Sequence, residues 1–152
     1  MAVSRIVVIG TSAGGIEALR ELTPDLPPGF PAPICIVLHM APQSPGLVPD
    51  ILSRVARMPV IHPRDRQRLE AGTIYVAPPD RHLIVEPGCL RLTTGPRENG
   101  FRPAIDPLFR SAAQIYGPAA IGVILTGNLG DGTAGLRALK QLGGVAIVQD
   151  EK

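Results

Sequence analysis

Short apolar runs alternate along the chain with stretches whose apolar residues recur every three or four positions. Ile6 to Ile9 is β-branched and ends at Gly10, the pattern of a buried strand. Gly14 to Leu22 follows with Ile16, Leu19 and Leu22 at helical spacing, and Pro24, Pro27 and Pro28 close it. Ile34 to Leu38 reads as a second buried strand, residues 47–55 as a helix with Leu47, Ile51 and Val55 on one face, and Met58 to Ile61 as a weaker strand. The middle changes character. Thr73 to Ala77, His82 to Glu86 and Cys89 to Thr93 are strand-like runs joined by Pro/Gly-rich turns, predicting an antiparallel meander attached to the main sheet. Asn99-Gly100 marks a loop, and Asp106-Pro107 predicts a helix with an aspartate cap and proline at its first position. Alternation then returns: strand Ala120 to Leu125, helix Thr133 to Leu142 stopped by Gly143-Gly144, and strand Val145 to Val148.

Strand–helix alternation predicts an α/β fold: a doubly wound, Rossmann-like, mostly parallel sheet with helices on both faces and an antiparallel β-meander insertion. At 152 residues, with 45% hydrophobic composition, a single domain over residues 1–152 is expected to bury a real core. The chain stops just after a strand with no helix to cover it, which suggests a piece of a longer domain.

Composition removes several classes. The 17 glycines and 17 prolines are scattered as loop punctuation, which excludes collagen. A net charge of +2, evenly spread, argues against a nucleic-acid or membrane-surface partner. The longest apolar run, Ala119 to Leu125, falls far short of the ~20 residues that span a bilayer. No signal-peptide pattern opens the chain, so a cytoplasmic location is expected. Cys35 and Cys89 stand alone in apolar runs; a disulfide is not required, and no metal-ligand spacing occurs.

Chemistry is concentrated at strand ends. Gly10-Thr-Ser-Ala-Gly14 is a G-x-S-x-G between a strand and a helix, the context of a nucleophile elbow. The turn would lift the Ser12 hydroxyl out of the sheet edge, and helix N–H groups would face a developing oxyanion. Simple helix capping by Ser12 is the alternative. A dinucleotide fingerprint fits worse, because Ser12 stands where its second glycine belongs. His39 directly follows the second strand and is the favoured base; His62 ends a weak strand, and His82 opens a hairpin strand where exposure is expected. Asp131, in the glycine-rich loop after strand 120–125, could orient His39. Its alternative is capping of the following helix. Asp106 reads as a local cap.

Several motifs in order carry a resemblance: Gly10 to Leu19, Leu38-His-Met40, Tyr75-Val-Ala-Pro-Pro79 with His82, Arg102-Pro103 with Asp106 to Ser111, and Thr126-Gly127 with Asp131 to Gly135. Together they resemble the catalytic domain of CheB-type protein-glutamate methylesterases, from about Arg5 to Asp150. The resemblance implies a serine esterase acting on γ-glutamyl methyl esters of methylated chemoreceptor cytoplasmic helices, or of a related signalling protein, and deamidating receptor glutamines. It implies Ser12 as nucleophile, His39 as base, Asp131 as orienting acid, and the backbone N–H groups at Ala13 and Asn128 as oxyanion donors, with no cofactor and no metal. Ala13 stands where the chemotaxis enzymes often carry Thr, and Asn128-Leu129 where they commonly read Met-Gly; the loop looks like that of stand-alone members. Only five residues precede the first strand, so a receiver domain is not expected in the chain, and a separate receiver or regulatory protein would be a partner. A catalytically weak binding or regulatory module on the same fold remains the other reading, and a phosphate-cradling α/β protein ranks last.

Overall fold

The computed structural model describes residues 3–125 and 130–149. Its main sheet takes β1 (Ile6–Thr11), β2 (Ile34–Leu38), β3 (Val60–Ile61), β5 (Ile74–Val76), β8 (Ala120–Ile124) and β9 (Val145–Val148), in the order β3-β5-β2-β1-β8-β9. Every pairing in it is parallel. The chain leaves β1 toward β2 and the β3 edge, then returns to the other side of β1 for β8 and β9. The direction of winding therefore reverses at β1, the place where doubly wound sheets open a crevice at the carboxyl ends of their strands.

Parallel strands buried on both faces must be apolar at successive positions, and the two faces sort by alternation. Ile6, Val8, Cys35, Val37 and Tyr75 pack with α3 (Ile105–Tyr116) through Ile105, Leu108, Phe109 and Ala112. Ile9, Ile34, Ile36, Leu38, Ile74 and Val76 pack on the other face with Leu19 of α1 (Ile16–Leu22) and Leu52 of α2 (Val48–Ser53). Each such side chain, wholly withdrawn from water, contributes about 1.5–3 kcal/mol. Cys35 and Cys89 are both free, and burial pushes the Cys35 thiol pKa up.

The predicted architecture holds, with one rearrangement. Ile74–Val76 does not open the meander; it pairs in parallel with β2 and β3. All three residues are buried, a requirement the interior of the main sheet meets and an exposed hairpin does not. The antiparallel unit is instead β6 (His82–Glu86) and β7 (Cys89–Thr93), with β4 (Gln67–Arg68) added to the edge of β7. The first helical segment opens as a 3₁₀ turn at Ala13–Gly15 before α1, and the expected helix over 47–55 is confined to α2. α4 (Thr133–Gln141) packs against α3 and leads to β9, whose Val145, Ile147 and Val148 are about half exposed or more. Among the described residues no helix is long and apolar enough to cross a membrane.

Candidate active site

Two adjacent strand ends set the site. β1 and β2 pair in register through Thr11 and Leu38, so the next residue on each strand is Ser12 and His39. The ladder continues one step further, with the His39 N–H donating to the Thr11 carbonyl at 3.1 Å. Ser12 has extended backbone dihedrals, and its carbonyl accepts the Gly15 N–H at 2.9 Å, closing the tight turn into α1. Two of the small residues around it are dictated by crowding. A Cβ on Gly10 would lie 2.5 Å from Ile105 at the start of α3, and one on Gly15 would collide with the Thr11 side chain. Gly14 is not crowded, since its nearest neighbour would be Ser12 Oγ at 3.9 Å.

Asp131 reaches the same place from the far side of β1. Its Oδ2 lies 2.7 Å from His39 Nε2, and both residues are nearly inaccessible, at 2% and 4% exposure. The carboxylate also accepts the Ile105 N–H (2.6 Å), the Asp106 N–H (3.0 Å) and the Asn99 side-chain amide (2.9 Å). Burial by itself would push its pKa up. The hydrogen bonds from His39, Ile105, Asp106 and Asn99 outweigh burial and hold it below the ordinary carboxylate value. An ionised carboxylate only accepts, so His39 Nε2 is the donor in this contact. This reverses the ring of the chymotrypsin-type triad, in which Nδ1 faces the acid.

The two acids of this region do not cap their own helices. α3 begins at Ile105 with Ala104 in the cap position and Asp106 already inside the first turn. The expectation of a local Asp106 cap is therefore corrected: its Oδ1 accepts the N–H groups of Gly132 (3.0 Å) and Gly135 (2.7 Å), at the start of α4. Asp131, adjacent to α4, gives its carboxylate to the first amides of α3 instead. Each acid meets the partial positive charge of the other helix's N-terminus. The close approach of the helices makes this exchange available, since Gly135 has room for no Cβ against Phe109 and Asp106.

The other histidines lie elsewhere. His62 places Nδ1 3.0 Å from the Val76 carbonyl and Nε2 3.1 Å from that of Gly46. His82 is buried at 3% exposure, not exposed as its hairpin position suggested. Its Nε2 donates to the Pro96 carbonyl at 2.8 Å and its Nδ1 accepts the Ala104 N–H at 3.3 Å, so the ring braces the segment leading into α3.

A cleft of about 330 Å³ opens over His39, lined by Ala13, Met40, Ala41, Pro42, Arg97, Gly100 and Phe101. Ala13 thus stands at the cleft, whereas Asn128 lies outside the described residues. Sequence reasoning missed two contributors. The Phe101 ring stacks on the His39 imidazole, with centroids 3.5 Å apart and planes 4° from parallel. The Asn99 amide bridges Asp131 and Asp106, the latter at 2.8 Å. The Asn-Gly turn was the only signal at these positions. Among the described residues no cluster of three or more His, Cys, Asp or Glu suited to a metal occurs. A serine and a histidine at two neighbouring strand ends, the histidine paired with a buried carboxylate, are the residue types that acyl transfer uses.

Comparison with known proteins bears on this arrangement. The family described as CheB methylesterase matches residues 7–152. A protein-glutamate methylesterase/protein-glutamine glutaminase of Anaeromyxobacter dehalogenans is 43% identical over 96% of this chain and 43% of its own length. A Leptospira interrogans relative, provisionally given the same two activities, is 41% identical over 95% of this chain and 75% of its own. The chain thus spans under half of one relative and three quarters of the other. The crystal structure of the Thermotoga maritima CheB methylesterase catalytic domain superposes with a TM-score of 0.92 at 37% identity, covering 98% of this chain and 81% of that one.

Proposed function

The chain belongs to the CheB methylesterase family, and on that footing we propose that it hydrolyses glutamate γ-methyl esters on protein side chains, with Ser12, His39 and Asp131 as a catalytic triad. The observation that carries the reading is the buried 2.7 Å contact of His39 with Asp131, one residue beyond a strand pair that ends beside Ser12. His39 Nδ1 takes the Ser12 hydroxyl proton while Oγ attacks the ester carbonyl. Asp131 keeps the ring oriented and stabilises the imidazolium that results. The N–H groups of Ala13 and Asn128 receive the oxyanion; removing one such donor typically costs about 10²–10³ in rate. The imidazolium protonates the departing methoxide, methanol leaves, and a γ-glutamyl ester of Ser12 remains. Water then gives its proton to His39 and attacks the acyl group; the bond to Ser12 Oγ breaks, His39 returns the proton to that oxygen, and glutamate leaves. The same cycle on a glutamine side chain would expel ammonia and leave glutamate.

The relatives' names supply the substrate class, and methylated cytoplasmic helices of chemoreceptors are its natural members. Methanol release from a methylated receptor cytoplasmic fragment, wild type beside Ser12→Ala, tests the reading. Release is expected from the wild type only. Equal release from a folded Ser12→Ala variant would remove Ser12 from the mechanism.

A further inference from the structure

Between β7 and α3 the chain forms a tight turn in which Glu98 and Phe101 exchange backbone hydrogen bonds, at 3.0 and 2.9 Å. Its two central residues, Asn99 and Gly100, both have positive φ, 54° and 84°, the geometry Asn-Gly favours. The turn is held from several sides. Arg110 donates to both carboxylate oxygens of Glu98 at 3.2 Å, His82 holds the Pro96 carbonyl, and Arg102 ties the Thr94 and Gly95 carbonyls to Asp80. So anchored, its tip delivers one side chain to each member of the buried pair: Phe101 to His39 and Asn99 to Asp131.

Neither contact is explained by packing alone. Phe101 remains 37% exposed at the cleft, so burial of its ring is incomplete. What the stack does is geometric. One hydrogen bond at Nε2 fixes a point of the imidazole but leaves rotation about the Cβ–Cγ bond, which would swing Nδ1 out of line with Ser12. An aromatic plane lying flat on the ring opposes that rotation while leaving both nitrogens accessible in their own plane. Asn99 acts on the partner group. Asp131 Oδ2 serves His39 and Ile105, and the Asn99 amide holds the other oxygen while tying it to Asp106.

We propose that the Glu98–Phe101 turn is a two-point clamp on the His39–Asp131 pair, with Phe101 and Asn99 as positioning residues for ester hydrolysis. The proposal rests on the methylesterase reading and is tested so that the two can fail separately. The full chain is compared with Phe101→Leu, Phe101→Tyr and Asn99→Gly; glycine keeps the left-handed backbone and deletes only the amide. Two rates are measured on variants whose melting shows them folded: methanol release from a helical peptide carrying a glutamate γ-methyl ester, and modification of Ser12 by a fluorophosphonate. Small losses of alignment are costly in such reactions. The clamp predicts that Phe101→Leu and Asn99→Gly lower kcat about tenfold or more, with KM within about twofold, and slow fluorophosphonate reaction by a similar factor, while Phe101→Tyr restores most of both. Wild-type kcat and labelling in Phe101→Leu would overturn it. So would a rise in KM alone, which would make Phe101 a substrate contact. A wild-type chain that reacts with the fluorophosphonate but releases no methanol would fail the substrate reading and leave the labelling rates to decide the clamp. One that does neither would overturn both.

Discussion

Asp131 and Asp106 cap each other's helices. The carboxylate beside α4 holds the first two amides of α3, and the carboxylate inside α3 holds the first amides of α4. Asn99 then joins the two acids. The acid that orients His39 is therefore also a structural fastener, so its chemistry and its contribution to folding are expected to change together.

Asp131→Asn tests that double role. An amide must present its NH₂ where one carboxylate oxygen now accepts two donors, so one end of the site loses its hydrogen bonds. We expect kcat to fall by about 10⁴, as for the corresponding change in serine proteases. Urea denaturation should show stability lower by about 1–2 kcal/mol, the worth of a lost helix cap. A variant with reduced activity and unchanged stability would contradict the capping role.

Asp106→Ala should separate structure from chemistry. It strips α4 of its cap and leaves the buried amides of Gly132 and Gly135 unsatisfied, a loss of about 1–3 kcal/mol. It does not remove the His39–Asp131 bond. The expected result is a lower urea midpoint with kcat reduced far less than in Asp131→Asn; a collapse of kcat as deep as that of Asp131→Asn would place Asp106 in the reaction itself.

Gly135→Ala opposes two effects of known size. Alanine gains about 1 kcal/mol of helix propensity over glycine. Its Cβ, however, would sit 2.7 Å from the Phe109 Cβ and 3.0 Å from Asp106 Oδ1, between two helices that cannot separate without breaking the exchanged caps. Overpacking of this kind costs about 1–3 kcal/mol, so thermal denaturation should give a lower Tm. A raised Tm would mean that α3 and α4 can move apart freely.

Acid should weaken the fold through Asp131. Its pKa in the folded chain lies below the ordinary value, against about 3.9 in the unfolded chain. A depressed folded pKa contributes stability that is present above the unfolded value and lost as pH falls through the folded one. Below about pH 4 the wild type should therefore lose Tm faster than Asp131→Asn. The exposed pair Asp65–Arg91 and the half-buried pair Asp80–Arg102, whose acids are also depressed, act in the same window but are common to both proteins. Parallel Tm profiles would show that Asp131 stays ionised in the fold no more readily than in the unfolded chain.

The nearness of His39 to Asp131 was legible in the sequence for one physical reason. His39 directly follows an apolar run and Asp131 lies in the loop after another, and parallel strands bring their carboxyl ends to one edge. Ile74–Val76 was misplaced because a three-residue run carries no sign of its partner's direction; burial on both faces decides that. β4 is two polar residues and has no period to read. Asn99 and Phe101 lie in a segment without periodicity, and nothing local links Asn99 to an acid 32 residues away. Asp106-Pro107 misled because a cap offered to another helix reads in sequence as a cap for its own.

The orientation of His39 has a consequence for reach. Nε2 belongs to Asp131, so the nitrogen left for Ser12 in the proposed mechanism is Nδ1, two bonds from Cβ instead of three. Such a short arm suits a neighbour only one strand away, at the ~4.8 Å spacing of a sheet. The strand pair serves as a ruler with a fixed graduation. A slip of one residue between β1 and β2 would keep every side chain of the site and turn His39 to the opposite face. Mutations deep in these two strands, far from the cleft, therefore act on the reaction through alignment of the ladder.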